Sequence, residues 1–199
     1  MTTPQSHGVL IDPGHGGFDG GAVADDGTLE KHLNLSVALC LRDILYVCGV
    51  PVALTRTTDS GLEDPLSSSI REKKVSDMRK RLHLYNQASL VISIHQNLFS
   101  QQQYQGAQLF YSPNHPNSEL LAQSIRGAII DSIQPKNTRV LKKATDGIYL
   151  LYHAQTPAVI LECGFLSNPE ERELLKSFTY QQQLAFAVTS GYWHYHSTL

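Results

Sequence analysis

Along nearly the whole chain, short apolar runs of strand type alternate with longer segments whose apolar residues recur at helical spacing. That alternation constrains the fold more than any other feature. Strands buried on both faces and followed by helices make a mostly parallel sheet covered on both sides. "GVLID" (8–12), "VPVALT" (50–55), "LVISI" (90–94), "AQLFYS" (107–112), "IYLLY" (148–152) and "AVILE" (158–162) read as strands. Ala38, Leu41, Leu45 and Cys48 mark a helix that Gly49 stops. A charged helix is expected over 70–88, and an amphipathic one over 118–133 with Leu121, Ile125, Ala128 and Ile129 on one face. "NPEERELLKSF" starts a further helix, with proline in its first turn and acids after it. A last helix is expected over 181–195. Residues 57–69 read as a Ser-rich loop, "FSQQQYQG" as a glutamine-rich link and 134–147 as irregular chain. No repeat or linker interrupts the pattern. One α/β domain over 8–196 is expected, with 1–7 a disordered N-terminal remnant.

Length and charge narrow the function classes. A chain of 199 residues suits one domain that needs no disulfide staples. The net charge of -2, with both signs interspersed, argues against a nucleic-acid partner. Cys40, Cys48 and Cys163 show no CxxC spacing and read as small core residues. The start "MTTPQSHGVL" has neither a basic nor an apolar leader segment, so either the protein is cytosolic or a leader is absent from this chain.

Three strands lead into residues that do chemistry. His15 lies three residues beyond the first strand, His95 follows "LVISI", and Glu162 follows "AVIL". In open α/β sheets, ligands bind beyond the carboxyl ends of the strands, so parallel strands would bring these three to one edge. Each also has a bland reading. A histidine in a glycine-rich loop is often a turn residue, and a buried glutamate often neutralises a cation or a helix N-terminus. Glu30, opening the first helix, is a candidate third metal ligand, although a first-turn glutamate commonly only complements the helix dipole. Two histidines and a carboxylate make a usual catalytic zinc set, with the fourth place open. No compact pattern such as HExxH supports it here.

The words themselves then carry a resemblance. "IDPGHGGFDGGA", "LEKHLNLSVALCLRDIL", "VPVALTRTTD", "SIHQN" and "TPAVILECGFLSNPEE" follow one another in the order seen in zinc-dependent N-acetylmuramoyl-L-alanine amidases of the amidase-3 type. The likeness runs from about Val9 to Tyr195. It implies a six-stranded, mostly parallel twisted sheet flanked by helices, and one Zn2+ per chain. It places the zinc ligands at His15, Glu30 and His95 and the catalytic glutamate at Glu162. Asp12 either orients His15 and its loop or caps the turn through Pro13 and Gly14. Arg56 either meets substrate carboxylates or pairs with Asp59, and Asn97 is expected near substrate. His153, just past a strand, is the remaining histidine to watch.

Within the family, "SIHQN…GAQLFY" and "ECGFLSNPEE" look most like the germination-specific amidases of spore formers. That implies action on peptidoglycan, muramic δ-lactam formation in spore cortex, and a secreted or cell-envelope enzyme in the spore intermembrane space. The chain carries "NTRVLK" (137–142) where many relatives have an Asn-Arg-Gly turn. It also lacks the long helical insertion that plugs several division amidases, so no internal plug is expected. An activating protein partner is a possible regulator, and the chain alone is expected to be monomeric. Two alternatives remain: another peptidoglycan zinc hydrolase (carboxypeptidase or deacetylase), or a wall-binding module without catalysis.

Overall fold

A computed structural model describes residues 8–199, so the disorder expected over 1–7 lies outside the described residues. The chain runs β1 (Val9–Pro13), α1 (Glu30–Val47), β2 (Val52–Leu54), α2 (Ile70–Tyr85), β3 (Leu90–Asn97) and β4 (Gln108–Tyr111). It continues through α3 (Asn117–Ser132), β5 (Lys142–Lys143), α4 (Tyr149–His153), β6 (Ala158–Phe165), α5 (Pro169–Lys176) and α6 (Phe178–Thr198). One six-stranded sheet has the order β2-β1-β3-β6-β4-β5. Four of its five pairings are parallel, and β4 runs antiparallel to β6.

Strand alternation divides the core in two. Val9 and Ile11 of β1, Leu90, Ile92 and Ile94 of β3, and Val159 and Leu161 of β6 face α1, α3 and α6. The opposite face holds Leu10, Val91, Ala158 and Ile160 under Tyr85 of α2 and Leu150 and Leu151 of α4. This second core is smaller, and along β6 it stops at Ile160. The next residue on that face is Glu162, so the apolar cover ends where the polar site begins.

Three sequence expectations are corrected. "IYLLY" is helical, not a strand, and the sixth strand is the exposed pair Lys142–Lys143 inside the stretch read as irregular. A short apolar run is equally a buried helical turn, and Leu150 and Leu151 bury as one on the smaller core. β3 and β6 run past His95 and Glu162 to Asn97 and Phe165. Between the pairs His95–Glu162 and Asn97–Phe165 the register shifts, with the extra residue in β6. Cys48 caps α1 and is exposed, whereas Cys40 and Cys163 are buried. Between β3 and β4 there is no helix, as expected for a chain without a plug.

Candidate active site

The loop after β1 is shaped by close approaches. His15 has φ 61°, the only positive φ outside glycine among the described residues. A Cβ at Gly14 would sit 2.2 Å from the His95 ring. One at Gly21 would sit 2.5 Å from Glu30 Oε2. Glycine is therefore required at both places by the approach of a site side chain. Asp19 Oδ2 lies 2.9 Å from His15 Nδ1, which leaves His15 Nε2 to face Glu30 Oε2 at 3.2 Å.

Glu30 opens α1 and is 4% exposed. The backbone N–H of Gln96 (3.0 Å) and the Asn34 amide (3.2 Å) donate to its Oε1, and the N–H of Ala22 (2.8 Å) donates to Oε2. His95 Nδ1 lies 3.0 Å from Oε1. Asn34, itself buried, also donates to the Gly14 carbonyl and accepts from Gln96, so one side chain ties all three ligand segments together. Burial alone would raise the Glu30 pKa, but the hydrogen bonds and charges of both histidines hold it far below the carboxylate range. Burial likewise opposes charge on His15, yet Asp19 and Glu30 raise it to about 9. One ligand atom from each of His15, Glu30 and His95 falls within 4.8 Å of the others. Two imidazoles and a carboxylate this close suit a divalent metal of the zinc type, and the carboxylate on His15 Nδ1 is the outer-shell partner such a ligand uses. The histidine side chains are 25% and 19% exposed, so the cluster faces solvent.

Glu162 sits beside this cluster because β3 and β6 pair with His95 opposite Glu162. Its Oε2 is buried and has no hydrogen-bond partner. Burial, reinforced by the charge of Glu30 and offset by the two histidines, pushes its pKa up to about 7. A half-buried carboxyl with one sealed, unpartnered oxygen and a pKa pushed up to about 7 is what a proton-transfer group requires.

Asp12 lies on the other flank and is fully paired. Thr55 (2.6 Å), Tyr85 (2.5 Å) and Ser93 (3.0 Å) donate to its carboxylate, as does Arg81. Arg81 in turn donates to the carbonyls of Pro13 and His15 and pairs with Asp77. Asp12 therefore holds the His15 loop through Arg81, which is the orienting role and not the turn cap. Arg56 is turned inward: it donates to the carbonyls of Pro13, Gly14, Thr58 and Lys31, and its expected pairing with Asp59 gives way to this backbone clamp. Lys31 is the residue that pairs with Asp59, at 2.7 Å. Asn97 is fixed through its carbonyl, which accepts from Leu166 N–H at 2.8 Å. His153 stacks on Tyr149 and Tyr152 at the end of α4, apart from the cluster.

Sequence reasoning missed Arg81, Tyr85 and Asn34. A signal was present for the first two. Asp77, Arg81 and Tyr85 are spaced i, i+4, i+8, one stripe on an otherwise charged helix, and Arg81 and Tyr85 are the residues α2 buries.

The chain matches the amidase-3 family, described as N-acetylmuramoyl-L-alanine amidase, over residues 9–192. It is 38% identical over 189 residues to the germination-specific N-acetylmuramoyl-L-alanine amidase of Bacillus subtilis, covering 94% of this chain and 78% of that one. Its fold superposes with a TM-score of 0.93 and 36% identity on the CwlD amidase from Clostridioides difficile, solved in complex with the GerS lipoprotein. That match covers 98% of this chain and all of the other. An N-acetylmuramoyl-L-alanine amidase from C. difficile 630 gives 0.82 at 28% identity, covering 97% and 98%. The chain therefore belongs to the amidase-3 family and is an N-acetylmuramoyl-L-alanine amidase of peptidoglycan.

Proposed function

We propose that this amidase works with one zinc ion held by His15, Glu30 and His95, that Glu162 moves the proton, and that the substrate is spore-cortex peptidoglycan. The observation that carries this reading is the orphaned Oε2 of Glu162 in register with His95, beside three donor atoms within 4.8 Å of one another. Bound there, zinc supplies Lewis-acid polarisation of the scissile carbonyl and acidification of a water. Glu162 accepts that water's proton as the lactyl carbon is attacked. It then returns the proton to the L-alanine nitrogen as the C–N bond breaks. Asp19 fixes the His15 tautomer, and Asn34, Gln96 and Ala22 hold Glu30 in place. The products are a muramoyl carboxylate and an intact stem peptide with a free amine.

The cortex role and the δ-lactam it leads to rest on the germination-specific relative. A location in the cell envelope follows from the same reading. An activating protein partner is supported by the neighbour solved with a lipoprotein. Replacing His15 or His95 by alanine is expected to lower zinc from one per chain towards none and to abolish release of stem peptide. Full zinc content in either variant would sink the ligand assignment. Product analysis separates the reactions: a carboxypeptidase would release a terminal amino acid and a deacetylase acetate, in place of the intact stem.

A further inference from the structure

A hydrolase that selects stem peptides meets carboxylates, and selection needs a cation that is rigid and not already paired. Most arginines of this chain with resolved partners are spent. Arg42 pairs with Asp43, Arg81 with Asp12 and Asp77, Arg172 with Asp26, and Arg56 is buried on backbone carbonyls. Arg139 differs. Its Nε donates to the Gln105 carbonyl at 2.8 Å and its Nη1 reaches Gln108 Oε1 at 3.5 Å. Its guanidinium lies 4.2 Å from the Phe165 ring centroid and 5.5 Å from that of Tyr104. The group is thus locked in place, and among the described residues no carboxylate lies within ion-pair distance of it. A planar guanidinium held by stacking keeps its fork for a carboxylate at little further entropic cost.

Arg139 lines a cavity of about 780 Å³ together with Lys136, Lys142 and Gln134. The acids there leave this positive character in place. Glu170 is exposed, and Glu171 has both oxygens occupied, by the N–H groups of Gly106 and Phe165 at 2.7 Å each. Glu171 acts on Arg139 through space but does not contact it.

The cavity lies next to the chemistry. β4 pairs with β6 so that Gln108 is opposite Glu162. Neighbouring strands are about 4.8 Å apart, and Arg139 is one hydrogen bond beyond Gln108. The guanidinium is therefore on the order of 10 Å from the Glu162 backbone. Two extended residues span about 7 Å, and a carboxylate on the second of them covers the remainder. We propose that Arg139 and its cavity form a subsite for the carboxylate on the second residue of the stem peptide, the one that follows the L-alanine whose nitrogen is freed. The proposal rests on Glu162 as the proton-transfer group.

The test uses two synthetic muramoyl peptides that differ only at this carboxylate, free in one and amidated in the other. Wild type is expected to cleave the free form with kcat/KM higher by about 10-fold or more, the usual worth of a hydrogen bond to a charged group. Arg139→Gln is expected to bring that ratio close to one, and Arg139→Lys to restore part of it. Loosening of the loop would slow both peptides alike and leave the ratio as in wild type. A wild-type ratio near one, or a ratio unchanged in Arg139→Gln, overturns the subsite. Equilibrium binding of L-alanyl-D-glutamate with its γ-carboxyl capped as a methylamide, and of the same dipeptide with its α-carboxylate amidated as well, reads the same contact without turnover. If Glu162 proves not to be the proton-transfer group while the free dipeptide still binds more tightly through Arg139, the mechanism falls and the subsite stands. Equal binding of the two dipeptides by wild type overturns the subsite, whatever the catalytic group.

Discussion

Two carboxylates flank the candidate metal cluster, Asp12 buried and Glu162 half-buried, and they have opposite fates. Asp12, at the end of β1, and Glu162, near the end of β6, both sit on the sheet face that carries the smaller core. Burial raises the pKa of each. At Asp12, Arg81 and the hydroxyls of Thr55 and Tyr85 overcome it and bring the pKa down to about 2. At Glu162 no hydrogen bond answers the burial, and the pKa goes up to about 7. Depth alone therefore says little about a carboxylate's role, and the count of donors around it decides the sign. The β1 flank is a finished polar network that fixes the His15 loop. The β6 flank carries an unmet demand, which is what the proposed proton transfer would use.

The sharpest way to break this contrast is Glu162→Gln. Shape is conserved, so fold and zinc content are expected to stay, while turnover falls by about 10²–10⁴-fold. Thermal melting and turnover measured on the same zinc-loaded sample decide it. Early melting with near-normal specific activity would make Glu162 a structural residue. Next comes Asp12→Asn, where the expected damage is to stability. Removing the carboxylate strips Arg81 of its buried partner, at a cost of roughly 3–5 kcal/mol in denaturant unfolding. The loss of turnover should be recovered when the variant is assayed well below its melting temperature. An Asp12→Asn protein as stable as wild type would mean that the network is held by other contacts.

The third effect is smaller and concerns pH in metal-free protein. Glu162 binds its proton more tightly folded than unfolded, so its contribution is present below about 4.5 and is lost as pH rises through about 7. Asp12 does the reverse: its contribution is present above 3.8 and is lost as pH falls through about 2. At about 1.4 kcal/mol per unit, the swings are roughly 3 and 2 kcal/mol. Denaturant unfolding of apo protein across pH 4–7 should therefore show a decline that Glu162→Gln flattens. A decline of equal size in the variant would assign that window to other groups.

Much of this was legible before the structure. The glycine loop, "LEKHLN" and "SIHQN" name the three side chains that cluster, "LECGF" names the glutamate in register with His95, and the alternation of periods names the sheet class. What escaped had physical reasons. "IYLLY" is too short for its period to separate a strand from a buried turn of helix. Lys142–Lys143 is a strand only by its hydrogen bonds to β4, since its side chains are exposed and charged. Arg56 was read as a partner for Asp59 or for substrate because a sequence does not show which backbone carbonyls a fold turns towards a side chain; this one turns those of Pro13 and Gly14 towards it. Arg81 and Tyr85 had a helical stripe to betray them; Asn34 had only its i, i+4 spacing from Glu30, and its contacts with Gly14 and Gln96 exist only after folding.

The strand order also sets a timetable. β3 and β6 are neighbours in the sheet, yet β4, α3, β5 and α4 are synthesised between them. A ribosome therefore delivers His15, Glu30 and His95 well before Glu162. The helix whose Leu184, Ala185 and Val188 seal the core against α1 and α3 emerges later still. Pairings this distant in the chain form late. Up to that moment the nascent chain carries the three side chains proposed to hold the metal without the glutamate proposed to move the proton. Until β6 has docked on β3, the proposed site is therefore incomplete.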